Sequence, residues 1–103
     1  MDLPQSSLER TFVIEYAEKV VERDLPKLSK SWQLRIKTSL EEKLARRPDV
    51  YAKPLHGLLT RYYKFRIGDH RAIFKIQGNK IKITILEHRS RVYHMALKRL
   101  GLE

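Results

Sequence analysis

From Tyr63 onward, apolar residues recur at every second position. Tyr63, Phe65 and Ile67 alternate with Lys64 and Arg66; Ala72, Phe74 and Ile76 alternate with Arg71, Ile73 and Lys75; Ile81, Ile83 and Ile85 alternate with Lys80, Lys82 and Thr84. A period of two is the signature of strands buried on one face, so this stretch predicts three strands sharing one apolar face. Gly68-Asp69 and Gly78-Asn79 fall at the junctions, and both suit the two-residue reversals of hairpins, which makes the predicted meander antiparallel. Upstream the pattern changes. The β-branched and aromatic run "TFVIEY", residues 11–16, predicts an opening strand. Ala17, Val20, Val21, Asp24 or Leu25, and Leu28 recur at helical spacing and predict a short helix disturbed by Pro26. Trp32, Ile36, Leu40 and Leu44 predict a second helix that ends before Pro48, with this stripe turned to the core. Residues 49–60, with Pro54 and Gly57, read as an irregular connection, and Val92, Met95, Ala96 and Leu100 predict a closing helix that stops near Gly101. The order predicts an α+β fold. An opening strand and a three-strand antiparallel meander form a small sheet packed against two N-terminal helices, with a C-terminal helix to follow.

Hairpin geometry then places charges. Across Gly68-Asp69, Ile67 is expected to face His70, Arg66 to face Arg71, Phe65 to face Ala72 and Lys64 to face Ile73; paired residues share a face. The same count through Gly78-Asn79 sets Phe74 against Ile83, Ala72 against Ile85 and Arg71 against Leu86. Lys64, Arg66 and Arg71 therefore gather on the face away from the helices. The chain leaves the last strand at Glu87, His88 and Arg89, beside the Gly68-Asp69 turn, and Tyr93 lies four residues beyond Arg89 on one helical face. Like charges opposed on a sheet are destabilising by a few tenths to about 1 kcal/mol. A bound phosphate would reverse that sign, because each guanidinium can hold one by two parallel hydrogen bonds.

Composition sharpens the choice of partner. In 103 residues, twenty-two Lys and Arg against twelve Asp and Glu give a net charge of +10, which points to a polyanion. The length suits one domain. No apolar run is long enough for a membrane span, and none after "MDLPQSSLER" reads as a secretory signal, so a cytoplasmic protein is expected. With no cysteine, disulfides and thiolate zinc sites are excluded, and His56, His70, His88 and His94 lack the close helical spacing of common metal motifs. Neither metal nor cofactor is expected.

Three segments resemble one family: "KPLHGL" its Leu-x-Gly, "YYKFRIGDHRAIFKI" its aromatic-x-x-Arg-x-Gly-Asp-aromatic-Arg strand pair, and "ILEHRSRVYHMA" its closing Gly-His-Arg-x-x-Val-Tyr. The chain is similar along nearly its whole length to toxins of the RelE/ParE superfamily of bacterial toxin–antitoxin pairs. That resemblance implies a single toxin domain over residues 1–103, neutralised by a cognate antitoxin that wraps it. In RelE-like members it further implies a metal-independent endoribonuclease cutting messenger RNA, often on the ribosome. There the ribose 2′-hydroxyl attacks the adjacent phosphorus and leaves a 2′,3′-cyclic phosphate. By likeness of motif the catalytic positions are Lys64, Arg71, Arg89 and Tyr93. Arg71 and Arg89 would stabilise developing charge, Lys64 would help activate the hydroxyl, and Tyr93 would stack on a base or orient the phosphate. Arg66 and Arg91, with Lys64, are expected to bind the RNA backbone. His88 is a candidate acid for the leaving 5′-oxygen, since imidazole exchanges protons near neutrality. Tyr62 stands where some ribosome-dependent members carry a second lysine, and His70 where an aromatic is common. Two other readings compete: a ParE-like inhibitor of DNA gyrase, and a nucleic-acid-binding subunit without catalysis.

Overall fold

The structure, a computed structural model, describes residues 11–102; the "MDLPQSSLER" opening, and the absence of a leader read from it, lie outside the described residues. Strand β1 (Val13–Tyr16) is followed by a π-helical turn, Val20–Asp24, and a 3-10 turn, Leu25–Lys27. Pro26 sits in the second of these and supplies no amide hydrogen, so a regular helix cannot run through it. Helix α1 (Lys30–Ser39) starts at Ser29, whose hydroxyl accepts the Trp32 amide at 3.2 Å, and continues as a π-helical turn, Leu40–Leu44. The period explains the π turn. On a helix of 3.6 residues per turn, a four-residue repeat drifts by about 40° per step. The widened last turn, closed by the Ala45 amide on the Leu40 carbonyl at 2.8 Å, turns the stripe back, so that Ile36, Leu40 and Leu44 are all buried.

The segment expected to be irregular is organised as a one-turn helix α2 (Pro48–Tyr51), a two-residue strand β2 (Lys53–Pro54) and a 3-10 turn at Gly57–Leu59. Then come β3 (Tyr63–Ile67), β4 (His70–Gln77), β5 (Lys80–His88) and α3 (Val92–Arg99). The sheet order is β1-β5-β4-β3-β2. The meander is antiparallel as its turns predict, whereas β1 joins β5 in parallel, making the sheet mixed.

Two expectations are corrected. Pairing of β3 with β4 follows the predicted register, and Phe74 faces Ile83. A bulge at Thr84 then shifts the rest: Ile73 faces Ile85, Ala72 faces Leu86 and Arg71 faces Glu87, in place of Ala72 with Ile85 and Arg71 with Leu86. The Thr84 hydroxyl donates to the Ile73 carbonyl at 2.9 Å, so a side chain satisfies a group within the interrupted ladder. The second correction follows from the first. The sheet has two apolar faces, not one. Phe65, Ile67, Ala72, Phe74, Ile81, Ile83 and Leu86 pack with Val20, Ile36, Leu40 and Leu44, while Ile73 and Ile85 pack on the other side with Leu59, Val92 and Ala96. Helix α3 covers that second cluster.

A buried ion pair holds α3 in place. Asp24 accepts Arg99 through both carboxylate oxygens at 2.7 and 2.8 Å, and its Oδ2 also takes the Leu86 amide at 2.9 Å. Arg99 further donates to the Thr84 carbonyl at 3.3 Å. Asp24 thus serves the outer edge of β5 beyond the point where β1 ends.

Candidate functional site

The Gly68-Asp69 reversal anchors the site. Gly68 has φ +60, and a Cβ there would lie 3.0 Å from Trp32 Cη2 and 3.1 Å from Arg35 Nη2, so the turn needs glycine both for its conformation and for its approach to α1. Arg66 and Arg71 face each other across this hairpin. Arg71 folds back over the turn, its Nη1 donating to the carbonyls of Gly68 and His70, each at 2.9 Å. That fixes one guanidinium group beside a second. One strand outward, Lys53 of β2 faces Lys64 of β3, so a second like-charged pair borders the first.

These pairs open onto a cleft of ≈ 670 Å³ whose lining includes Lys53, His56, Lys64, Arg66 and Arg71, with Val50, Tyr51, Pro54 and Phe65 as its apolar wall. No carboxylate is among the described lining residues. Lys64 Nζ lies 3.3 Å from the Tyr93 hydroxyl and 5.8 Å from the centre of its ring, so the first turn of α3 brings an exposed phenol to the rim of the cleft. Lys64, Arg66, Arg71 and Tyr93 are brought together.

The remaining expected residues stand differently. The Arg89 amide donates to the Asp69 carbonyl at 2.8 Å, which holds its backbone beside the turn, while its side chain is exposed and not part of the cleft lining. Arg91 pairs with Glu87 at 3.1 Å, so part of its charge is engaged. Burial works against the Glu87 charge, but the His88 amide and Arg91 outweigh it and hold the carboxyl below its usual range. His88 follows Glu87 by one residue and so points to the opposite face of the sheet. Its ring lies 5.8 Å from that of His70, which lies 4.4 Å from Trp32. Its Nδ1 accepts the Ser90 amide at 3.1 Å.

Lys53 and His56 were missed in the sequence because they lie in a segment without period. Only the two-residue strand β2 brings them beside β3. The signal available was "KPLHGL" itself, a basic residue and a histidine in a stretch otherwise resembling the family.

A cation-lined cleft beside a β-hairpin, on a five-stranded sheet with a helix on its far face, makes this a small α+β domain suited to an anionic partner. The ParE toxin of type II toxin–antitoxin systems, parDE, is the family whose pattern matches residues 14–93. The chain belongs to this family, within the RelE/ParE superfamily. Solved structures share the fold. The RelBE2 toxin–antitoxin complex from Mycobacterium tuberculosis has a chain 23% identical, with a TM-score of 0.71, covering 78% of this chain and 93% of that one. A mutant of the E. coli toxin RelE in the free state is 20% identical, with a TM-score of 0.66, covering 87% and 98%. The YoeB–YefM complex from Staphylococcus aureus gives 23%, a TM-score of 0.60, and 75% and 95%. No curated protein sequence matches significantly.

Proposed function

We propose that this toxin is a metal-independent endoribonuclease that cuts messenger RNA in the cleft between β2, β3 and β4, acts in the cytoplasm, and is held inactive by a cognate antitoxin. The observation that carries this reading is the cleft itself: Lys53, Lys64, Arg66 and Arg71 line it with no carboxylate among the described lining residues, and Glu87, which faces Arg71 from β5, is already paired with Arg91. Such a site favours a phosphodiester, and more so as negative charge builds on the nonbridging oxygens. The 2′-hydroxyl attacks phosphorus, the bond to the 5′-oxygen breaks, and the products are a 2′,3′-cyclic phosphate and a 5′-hydroxyl. Arg71, preset by its two carbonyl contacts, and Arg66 neutralise the phosphorane, with Arg89 approaching from the end of β5. Lys64, beside Tyr93, assists removal of the 2′-proton, and Tyr93 offers a ring to a base. The proton for the 5′-oxygen has two candidates. His56 lines the cleft, whereas His88 faces the other side of the sheet, so the role goes first to His56.

Purified protein incubated with messenger RNA and a chelator, with and without ribosomes, should give cyclic-phosphate ends. Lys64→Met should reduce the rate by about 10² or more, and His56→Gln should remove the limb of the pH–rate profile set by the acid. Intact RNA in both arms would overturn the proposal. The toxin–antitoxin complexes among the structural neighbours support the antitoxin, as they pair a related fold with its own partner. The family pattern is that of ParE, and this favours a second reading: inhibition of DNA gyrase, shown by loss of supercoiling with RNA left whole.

A further inference from the structure

A second group of cations lies on the cleft's face of the sheet, at the other end of α3. Lys75 of β4 directly faces Lys82 of β5, a like-charged pair on a sheet surface, and neither has an ion-pair partner within 4 Å among the described residues. With Lys19, Tyr62 and Thr84 they line a separate pocket of ≈ 400 Å³. Lys75 Nζ sits 5.0 Å from the centre of the Tyr62 ring. Two carboxylates are near: Glu18 in the lining, and Glu15, which neighbours Lys82 on β1. Arg99 also borders the pocket, but Asp24 already neutralises it. Three lysines against two glutamates leave an excess of positive charge around an aromatic ring.

The opposed lysines repeat the arrangement of Arg66 and Arg71, and folding gains nothing from either pair. Position relates the two sites. Arg71 and Lys75 lie four residues apart on β4, about 13 Å along a strand, with the buried Ile73 and the helix α3 that covers it between them, so a chain joining the two sites passes over α3; Lys64 and Tyr62 lie on one face of β3 and its lead-in. Helix α3 links them as well, with Tyr93 touching Lys64 at its start and Leu100 lining the second pocket just past its end. An aromatic ring among cations suits single-stranded nucleic acid, where bases stack and phosphates pair; an acidic peptide would have no use for the ring.

We infer that the pocket of Lys19, Lys75, Lys82 and Tyr62 is a second subsite for the RNA chain, holding a phosphodiester a few nucleotides from the one in the cleft. This rests on the proposed ribonuclease reading. It is tested with 2′-O-methyl oligonucleotides, which bind but lack the attacking hydroxyl, so the intact protein can be used. Affinity is measured across a salt series for a 3-mer and a 12-mer, with the Lys75→Gln/Lys82→Gln variant beside the unsubstituted protein. Loss of the one phosphate held there should lower the salt slope for the 12-mer by about 0.7, the value per phosphate for single strands, and leave the 3-mer unchanged. Glutamine keeps most of each side chain, and an unchanged melting temperature confirms the fold. An unaltered slope overturns the subsite while the ribonuclease reading stands. A lowered slope in a protein that cleaves nothing keeps the subsite and removes the enzyme. No binding by the unsubstituted protein overturns the subsite, and the ribonuclease reading is then decided by the cleavage assay with ribosomes. If the slope holds but affinity for a poly-glutamate peptide drops, the patch docks an acidic protein segment and the RNA subsite is wrong.

Discussion

His70 shows how one side chain can tie stability to pH. It is buried on the helix side of the sheet, and its Nδ1 has no hydrogen-bond partner among the described residues. Burial first, then the neighbouring His88, pushes its pKa below the ordinary 6.5; Glu87 and Asp69 pull the other way, and Arg35 of α1 adds to the lowering. The unfolded chain therefore takes up a proton that the folded chain resists. Stability is full above about pH 6.5 and falls as the pH drops toward the folded value. Urea unfolding at pH 5 and pH 7.5 should show this loss, and His70→Phe should shrink it; a variant with the same pH dependence would assign the effect elsewhere. The sequence placed His70 on the apolar face through the hairpin count. Its contact with Trp32 depended on how α1 packs, which no local pattern encodes.

Among the elements, α3 depends most on a distant partner. Its apolar side packs in a small cluster with Ile73, Ile85 and Leu59, and the Asp24–Arg99 pair secures its last turn to β5. Both side chains are almost fully buried, Asp24 at 1% and Arg99 at 8% exposure. Asp24→Ala would leave Arg99 buried without its counter-charge and the Leu86 amide without its acceptor. The expected loss is about 3–5 kcal/mol, read from denaturant midpoints, with hydrogen exchange rising first in α3. A loss below about 1 kcal/mol would show that water replaces the carboxylate. The period of α3 was legible in the sequence, as were the meander and its turns. The bulge was not, because Thr84 reads as an ordinary outward position in an unbroken alternation. It took the second apolar layer, Ile73 against Ile85 under α3, to shift the register by one.

At the scale of the molecule, charge dominates. A net +10 on 103 residues repels itself in the compact state. Screening should relieve this, so the melting temperature should rise between 0.05 and 0.5 M sodium chloride, and rise further with a polyanion such as heparin that binds the folded form. A flat or falling curve would mean that favourable ion pairs outweigh the repulsion. No helix among the described residues is long and apolar enough to cross a membrane.

The residues of this chain determined its strands, its tight reversals and the meeting of Arg66 with Arg71, because alternation and turn length are local rules that fix which neighbours pair. Tertiary structure decided what lies between non-neighbours: the parallel docking of β1 on β5, the second apolar face, and the placing of Lys53 opposite Lys64 with His56 lining the same cleft. Those contacts join segments whose separate patterns carry no information about each other, and only the burial of shared apolar surface brings them together.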